Sequence, residues 1–369
     1  MLSRLRKKIT GIGESQNNKN IYIHIGISKT GTTAIQKFFH QNTGLLASRG
    51  FHYIRAGRAE GGASHHQLAR VYKMDDACSG EVSAIRNEIG NSDCHSFIIS
   101  SEMFEYLTRS QIKQLKRDFE GFELILVVYL RYQDQALSSM YNELVKKHAC
   151  TVSFSEHLRD TPRKGLLLYG DMLKSWEREL GKKNIRVRIF DREKLTGGNV
   201  IKDMLTAIGI NDLNVDTPGF AANQSVSSAA ISVLRDINAQ MDYSVDHAAH
   251  YGLACRLALI LDKLVRSKFP ELDHDTNNYF STKNDYEELM EYYRRDNVRI
   301  SRRYFFGGNF SLRNFSPAGE ITEKSKRDIL MALVERLEIS AERVDKSATE
   351  LTKLVAEYWS EELRRLCGS

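Results

Sequence analysis

The chain has 369 residues, of which 41% are hydrophobic and 27% charged, and a formal net charge of +6. That is long enough for one large domain or two with a proper core, and the balance is ordinary for a globular protein. No run approaches the roughly 18 apolar residues of a membrane span. The five cysteines (Cys78, Cys94, Cys150, Cys255, Cys367) lack any C-x-x-C pair and indicate neither a disulfide framework nor a zinc site.

In chain order, residues 1–19 open with Met1-Leu2-Ser3-Arg4-Leu5-Arg6-Lys7-Lys8, basic but without the apolar stretch of a secretory signal. They read as a solvated tail, with a weak attraction to anionic membrane left open. A strand-like run at 21–27 follows, leading into Gly26-Ile27-Ser28-Lys29-Thr30-Gly31-Thr32-Thr33 and then a helical pattern with Ile35, Phe38 and Phe39 on one face. Further continuous apolar runs lie at 96–100, 122–130 and 185–190, separated by helical patterns. Strands of that kind alternating with helices predict a parallel sheet covered on both faces. From about 199 onward the pattern is helical, with helices expected at 226–240, 245–266, 285–304, 322–337 and 341–366. The expected architecture is an α/β core over about 20–210, a helical part over about 211–306 and a helical extension over 307–369. Reduced thiols fit a cytoplasmic location. The mild positive charge suits an anionic ligand, and no basic stripe interleaved with aromatics argues for nucleic acid. A homo-oligomer is left open.

The segment around Gly26 and Gly31 has the strand–loop–helix context of a phosphate-binding loop, but not its sequence. A nucleoside-triphosphate loop carries lysine directly after the second glycine. Here Thr32 holds that place and the lysine, Lys29, precedes it. A nucleoside triphosphate needs its lysine on the β/γ oxygens together with Mg²⁺. A sulfuryl group carries less charge than a phosphoryl group. Backbone N–H groups and a helix N-terminus could hold such a donor, with Lys29 stabilising the bridging oxygen on leaving and no metal required.

On these residues the stretch HIGISKTGTTAIQ resembles the P-loop-related sulfotransferases, in particular their bacterial and carbohydrate branches. These transfer a sulfuryl group from 3′-phosphoadenosine 5′-phosphosulfate (PAPS), releasing the bisphosphate PAP. A second stretch, LILVVYLRYQDQALSSMYNE, resembles the family's other motif, in which an arginine after a strand and a serine eight residues on bind the 3′-phosphate. Here these are Arg131 and Ser139, with Ser138 the neighbouring candidate. A guanidinium and a hydroxyl can grip one phosphate from two sides. FIISSEMFEYL places Glu102 where carbohydrate sulfotransferases carry a catalytic glutamate. The resemblance spans roughly 20–306. It implies a P-loop-like three-layer α/β fold and direct in-line transfer to a hydroxyl of a carbohydrate or small metabolite. Ser28, Lys29, Thr30, Gly31, Thr32 and Thr33 would cradle the phosphosulfate, Lys29 would assist departure, and Glu102 would act as general base. No metal is implied. The Arg-Lys-Gly triplet by which cytosolic members hold the 3′-phosphate has no counterpart, since Arg163-Lys164-Gly165 lies far too early.

Other readings stand beside these. Glu102 could be a helix-start carboxylate facing the dipole. His65 and His66 are acceptor contacts or an alternative base, or simply polar residues at a helix start. His24, within the first strand, reads as a core histidine. A P-loop kinase or nucleotide hydrolase, and a non-catalytic nucleotide-binding scaffold, are the alternative functions. Thr32 in the lysine position argues against the kinase.

Overall fold

In the computed structural model the strand-like runs lie side by side in one sheet. It describes residues 19–27, 29–59, 61–74, 80–160, 166–212, 226–241, 247–272, 279–306, 310, 315, 319, 321–339 and 346–367. Along the chain come β1 (Asn20–Gly26), α1 (Thr32–Gln41), α2 (Thr43–Ala47), β2 (Phe51–Tyr53), α3 (His66–Lys73), α4 (Glu81–Gly90), β3 (Ser96–Ser100), a 3₁₀ turn (Glu102–Tyr106), α5 (Arg109–Asp118) and β4 (Glu123–Leu130). There follow α6 (Gln133–Lys147), α7 (Phe154–Asp160), α8 (Tyr169–Leu180), β5 (Ile185–Ile189) and α9 (Val200–Ile208). The helices α10 (Ser228–Asn238), α11 (His247–Lys268), α12 (Lys283–Tyr304), α13 (Glu323–Arg336) and α14 (Ala348–Cys367) complete the described elements.

The chain divides into two compact units, Met1–Leu130 with Tyr169–Ala222, and Arg131–Leu168 with Asn223–Ser369. The sequence reading drew its boundary near 210. The compact units instead interleave, with 131–168 grouped with the C-terminal helices.

The first unit is a mixed α/β structure whose five strands run parallel in the order β2-β3-β1-β4-β5. Tyr22, Ile98, Ile125, Val127 and Tyr129 join Ile35, Phe38, Phe39 and the apolar side of α9 in one core on one face. Ile21, Ile23 and Ile25 alternate with them and are equally buried, while α8 packs on β4 and β5 and is itself packed by α5. Burial on both faces is why these strands read as unbroken apolar runs. Each such Ile or Phe contributes about 1.5–3 kcal/mol by leaving water. The short strand β2 was absent from the sequence reading. Three residues, Phe51-His52-Tyr53, are too few to show a period, and only pairing with β3 makes them a strand.

The second unit is helical in its described residues. Gln133 at the start of α6 and Asn297 on α12 exchange amide hydrogen bonds of 2.7 and 3.0 Å, both side chains being buried. Asp236 and Lys326 pair at 2.8 Å between α10 and α13. Among the described residues no helix is long and apolar enough to cross a membrane.

Candidate active site at the carboxyl edge of the sheet

Parallel pairing brings the C-terminal ends of the central strands to one edge of the first unit. Gly26 stands opposite Tyr129, and His24 opposite Ser100. The loop after β1 and the turn after β3 therefore leave the sheet together, the place where open α/β sheets bind ligands.

The loop after β1 is tightly closed. A Cβ at Gly26 would lie 1.8 Å from Thr32 Oγ1, so only glycine lets the Thr32 side chain fold back over the strand end. Gly31 caps α1 at φ 76°, and a Cβ there would meet Phe190 at 2.9 Å. Lys29 also takes a left-handed conformation, φ 71°, a costly one for a side chain with a Cβ. Thr30 is fully buried; its N–H and its hydroxyl both donate to the Ile27 carbonyl, at 3.2 and 2.6 Å. Thr32 is buried and its Oγ1 finds no partner among the described residues, while Thr33 is exposed. Among the described residues no side chain caps α1, whose first N–H groups have no intrahelical acceptor. Ser28 lies outside the described residues.

Glu102 begins the 3₁₀ turn after β3. Its Oε2 accepts from Gln36 Nε2 at 3.2 Å and lies 3.6 Å from His66 Nε2. The buried Gln36 amide also donates to Ser100 Oγ at 3.2 Å, and Ser100 Oγ meets His24 Nδ1 at 2.8 Å. Ser101 Oγ accepts from the Met103 N–H at 3.1 Å and lies 2.7 Å from His66 Nδ1. Glu102 and His66 keep 29% and 37% of their side chains exposed. The pair is thus held from behind and open in front.

The other two histidines differ. His65 is fully buried, with Nδ1 accepting from the Ser100 N–H at 3.0 Å and Nε2 2.9 Å from the Ile54 carbonyl. Burial lowers its pKa to about 3, and nearby Arg58 adds to this. His24, equally buried, is lowered to about 3 by burial alone. Both are neutral, and His65 ties β3 to the chain after β2. Three residues along the turn from Glu102, burial pushes the Glu105 carboxyl up to about 7.

A second polar cluster fixes the far side of the loop. Asp203 on α9 is fully buried. It accepts from Tyr129 Oη at 2.8 Å, Arg188 Nε at 2.8 Å, the Thr196 N–H at 2.9 Å and Thr196 Oγ1 at 3.1 Å, with a further ion-paired contact to Arg188 Nη2. Desolvation alone would raise its pKa, but these donors outweigh it and hold the carboxyl below its usual value. The cluster orders Phe190 to Val200, the segment against which Gly31 packs.

Arg131 and Ser139 belong to the second unit. Arg131 directly follows the last residue of β4 and is buried. Ser138 and Ser139 are buried on α6, and Ser138 Oγ has no partner among the described residues. Arg163-Lys164-Gly165 lies outside the described residues. Among the described residues no group of three or more His, Cys, Asp or Glu could hold a metal ion.

Sequence reasoning singled out Glu102 and His66 separately and missed Gln36, Ser100 and Ser101, which join them. The available signal was Gln36 itself: an amide four residues after Thr32, on the buried side of an amphipathic helix.

No family model matches the chain. It is 30% identical over 219 residues to an uncharacterized protein of Archaeoglobus fulgidus, a match covering 54% of this chain and 58% of that protein. The chain thus spans less than two thirds of the length of the relative it matches. The crystal structure of a sulfotransferase from Alicyclobacillus acidocaldarius is similar at a TM-score of 0.39 and 14% identity, over 77% of this chain and 95% of that chain. At those values neither protein's activity speaks for the other's.

Proposed function

We propose that the protein is a sulfotransferase that moves the sulfuryl group of PAPS directly, in line, onto a hydroxyl of its acceptor. The observation that carries this reading is the pairing of two features at one sheet edge. One is a tight loop whose lysine precedes its last glycine. The other is a partly exposed carboxylate, Glu102, held by Gln36 and facing His66.

The α1 N-terminus and the loop N–H groups suit an anion, and the Thr32 hydroxyl, which has no partner among the described residues, is a donor that an anionic ligand would satisfy. Lys29 would stabilise the bridging oxygen as the bisphosphate leaves. Glu102 would accept the acceptor's proton. We assign His66 to orienting that carboxylate and His65 to structure, because both of its nitrogens are taken. Arg131 and Ser139 are assigned to the donor's 3′-phosphate on the sequence motif. In sulfuryl transfer the S–O bond to the phosphate breaks as the new S–O bond to the acceptor forms. The hydroxyl proton passes to Glu102, and 3′,5′-adenosine bisphosphate departs.

Calorimetry with 3′,5′-adenosine bisphosphate, AMP and ATP tests the donor assignment. A charge-assisted contact contributes roughly 1.5–3 kcal/mol, so the bisphosphate should bind about 10- to 150-fold more tightly than AMP, and Arg131→Ala should erase most of the difference. Equal affinity for ATP and the bisphosphate would sink the assignment.

A further inference from the structure

We propose that His24 links the loop after β1 to the candidate base. Its Nε2 and the Thr32 hydroxyl share a hydrogen bond, direct or through one buried water, and so complete a relay Thr32–His24–Ser100–Gln36–Glu102. His24 is then a positioning residue for the transfer. The inference rests on the sulfuryl-transfer reading and deepens it, because it says how the loop that holds the donor sets the carboxylate that takes the acceptor's proton.

Four of the five members are joined already. Gln36 Nε2 donates to Glu102 Oε2 and to Ser100 Oγ, each at 3.2 Å, and Ser100 Oγ lies 2.8 Å from His24 Nδ1. The run stops at His24 Nε2, which is buried with no partner among the described residues. Thr32 Oγ1 is in the same condition. Buried polar atoms left so are few in folded proteins, because each has given up water for nothing in return. Two of them at the end of one strand carry the proposal.

The backbone places the two together. Residues two apart on a strand share a face, so the His24 ring and any side chain at position 26 project from the same side of β1, roughly 7 Å apart along it. Thr32 occupies the place over Gly26, since a Cβ there would lie 1.8 Å from Thr32 Oγ1. The imidazole lies across that face. Its Nδ1 is turned to Ser100 on β3, and its ring meets Tyr129 on β4 edge-on, with centroids 5.9 Å apart. Tyr129 stands opposite Gly26. The two nitrogens of an imidazole point in divergent directions, so Nε2 faces away from Ser100, toward the side where the Thr32 hydroxyl stands over Gly26. A separation of this size is closed by the ring's reach alone or by one bridging water.

The chemistry of the pair agrees. Burial keeps His24 neutral, so one ring nitrogen donates and the other accepts. A threonine hydroxyl does both and complements either tautomer. An apolar side chain would fill this fully buried position with no polar group to satisfy. A neutral ring with one nitrogen on each side instead joins loop to base without setting a second charge behind Glu102.

The link is tested without donor or turnover by urea unfolding of the wild type, His24→Asn, Thr32→Val and the double variant. His24→Asn keeps a polar atom for Ser100 and withdraws the one that reaches Thr32. Thr32→Val should lower the folding equilibrium about 3- to 10-fold in the wild-type chain and under about 2-fold in the His24→Asn background. Equal losses in both backgrounds overturn the link. The native ring gives a second readout that needs no His24 variant. In the histidine-labelled chain the nitrogen-15 resonance of His24 Nε2 should move in Thr32→Val and stay in place in Thr33→Val, the exposed neighbour. A resonance unmoved by Thr32→Val overturns the link as well.

Positioning is read in the reaction. His24→Asn should lower kcat about 3- to 10-fold, with the affinity for 3′,5′-adenosine bisphosphate unchanged. His24→Gln, which cuts the relay at Ser100 instead, should give the same loss. Either variant combined with Gln36→Leu should be no slower than Gln36→Leu alone, because all act through Glu102. An unchanged kcat, or losses that multiply, would make His24 structural only. A coupled unfolding cycle with no sulfate transfer from PAPS by the wild type would keep the link and overturn the reaction it serves. Transfer with an additive cycle would do the reverse.

Discussion

Two carboxylates of the α/β unit sit near the ends of its strands, and their surroundings differ. Asp203 is fully buried, and its two oxygens accept from Tyr129, Arg188 and both donors of Thr196. Glu102 accepts from Gln36 and faces His66, with nearly a third of its side chain still exposed. The first cluster has no room for anything further. The second is oriented by the protein and left incomplete on the solvent side. A closed network rigidifies; an open one, fixed from behind, is ready for a proton or a ligand. The Asp203 knot sets the segment against which Gly31 packs, and the Glu102 pair uses the edge so formed.

The largest expected effect tests the open side. Glu102→Gln keeps the shape and removes the base, and should lower sulfate transfer by about 10²–10⁴-fold with little change in donor affinity or melting temperature. Turnover within a few-fold of wild type would make Glu102 a second structural carboxylate, like Asp203.

Asp203→Ala should act on stability instead. Breaking a buried ion pair costs about 3–5 kcal/mol, and the lower end applies because Arg188 is 33% exposed and can turn to water. Denaturant titration would measure it. A loss below about 1 kcal/mol would mean that the knot is not what orders the edge.

Gln36→Leu sharpens the contrast, because Gln36 lies behind the pair and touches no substrate in the proposed scheme. One charge-assisted hydrogen bond is lost, and turnover should fall about 10-fold. If Gln36 positions the carboxylate, the loss should appear in kcat with the KM for donor unchanged. A loss confined to the donor KM would instead assign Gln36 to the loop.

The smallest effect concerns pH. Burial raises Glu105 from 4.5 to about 7, so between those values the folded chain binds the extra proton and stability falls as pH rises. Glu105→Gln should therefore raise the melting temperature at pH 8 and leave it unchanged at pH 4. The gain should be under about 1 kcal/mol, because the side chain is only partly shielded. His24 and His65 work in the opposite sense. Their folded values, lowered from 6.5 to about 3, mean that stability is lost as pH falls below 6.5. Equal Glu105→Gln effects at pH 4 and pH 8 would show that its charge is not the cause.

Much of the fold was legible from pattern. Apolar runs at 96–100, 122–130 and 185–190 became β3, β4 and β5 within a residue at either end, and the helical periodicity after 199 gave α10 to α13 within two residues; α14 begins at Ala348, and 341–345 of the expected 341–366 helix lie outside the described residues. Strands buried on two faces and helices with one apolar side write their environment into the local sequence. The three residues of β2 carried no such signal, and 131–168 gave none of its grouping with the C-terminal helices.

The sequence by itself determined the loop. Two glycines at fixed spacing, a lysine before the second and a helix directly after are local chain geometry; Gly26 and Gly31 are required by the close contacts a Cβ would make, and the left-handed φ of Gly31 favours glycine further. Tertiary structure alone decided which polar groups share that edge. Gln36, His66, Ser101 and Glu102 come from α1, α3 and the end of β3, and they meet because parallel pairing sets His24 beside Ser100 and so aligns the strand ends. Register between strands far apart in the chain is a property of the packed sheet, and no local pattern in the sequence encodes it.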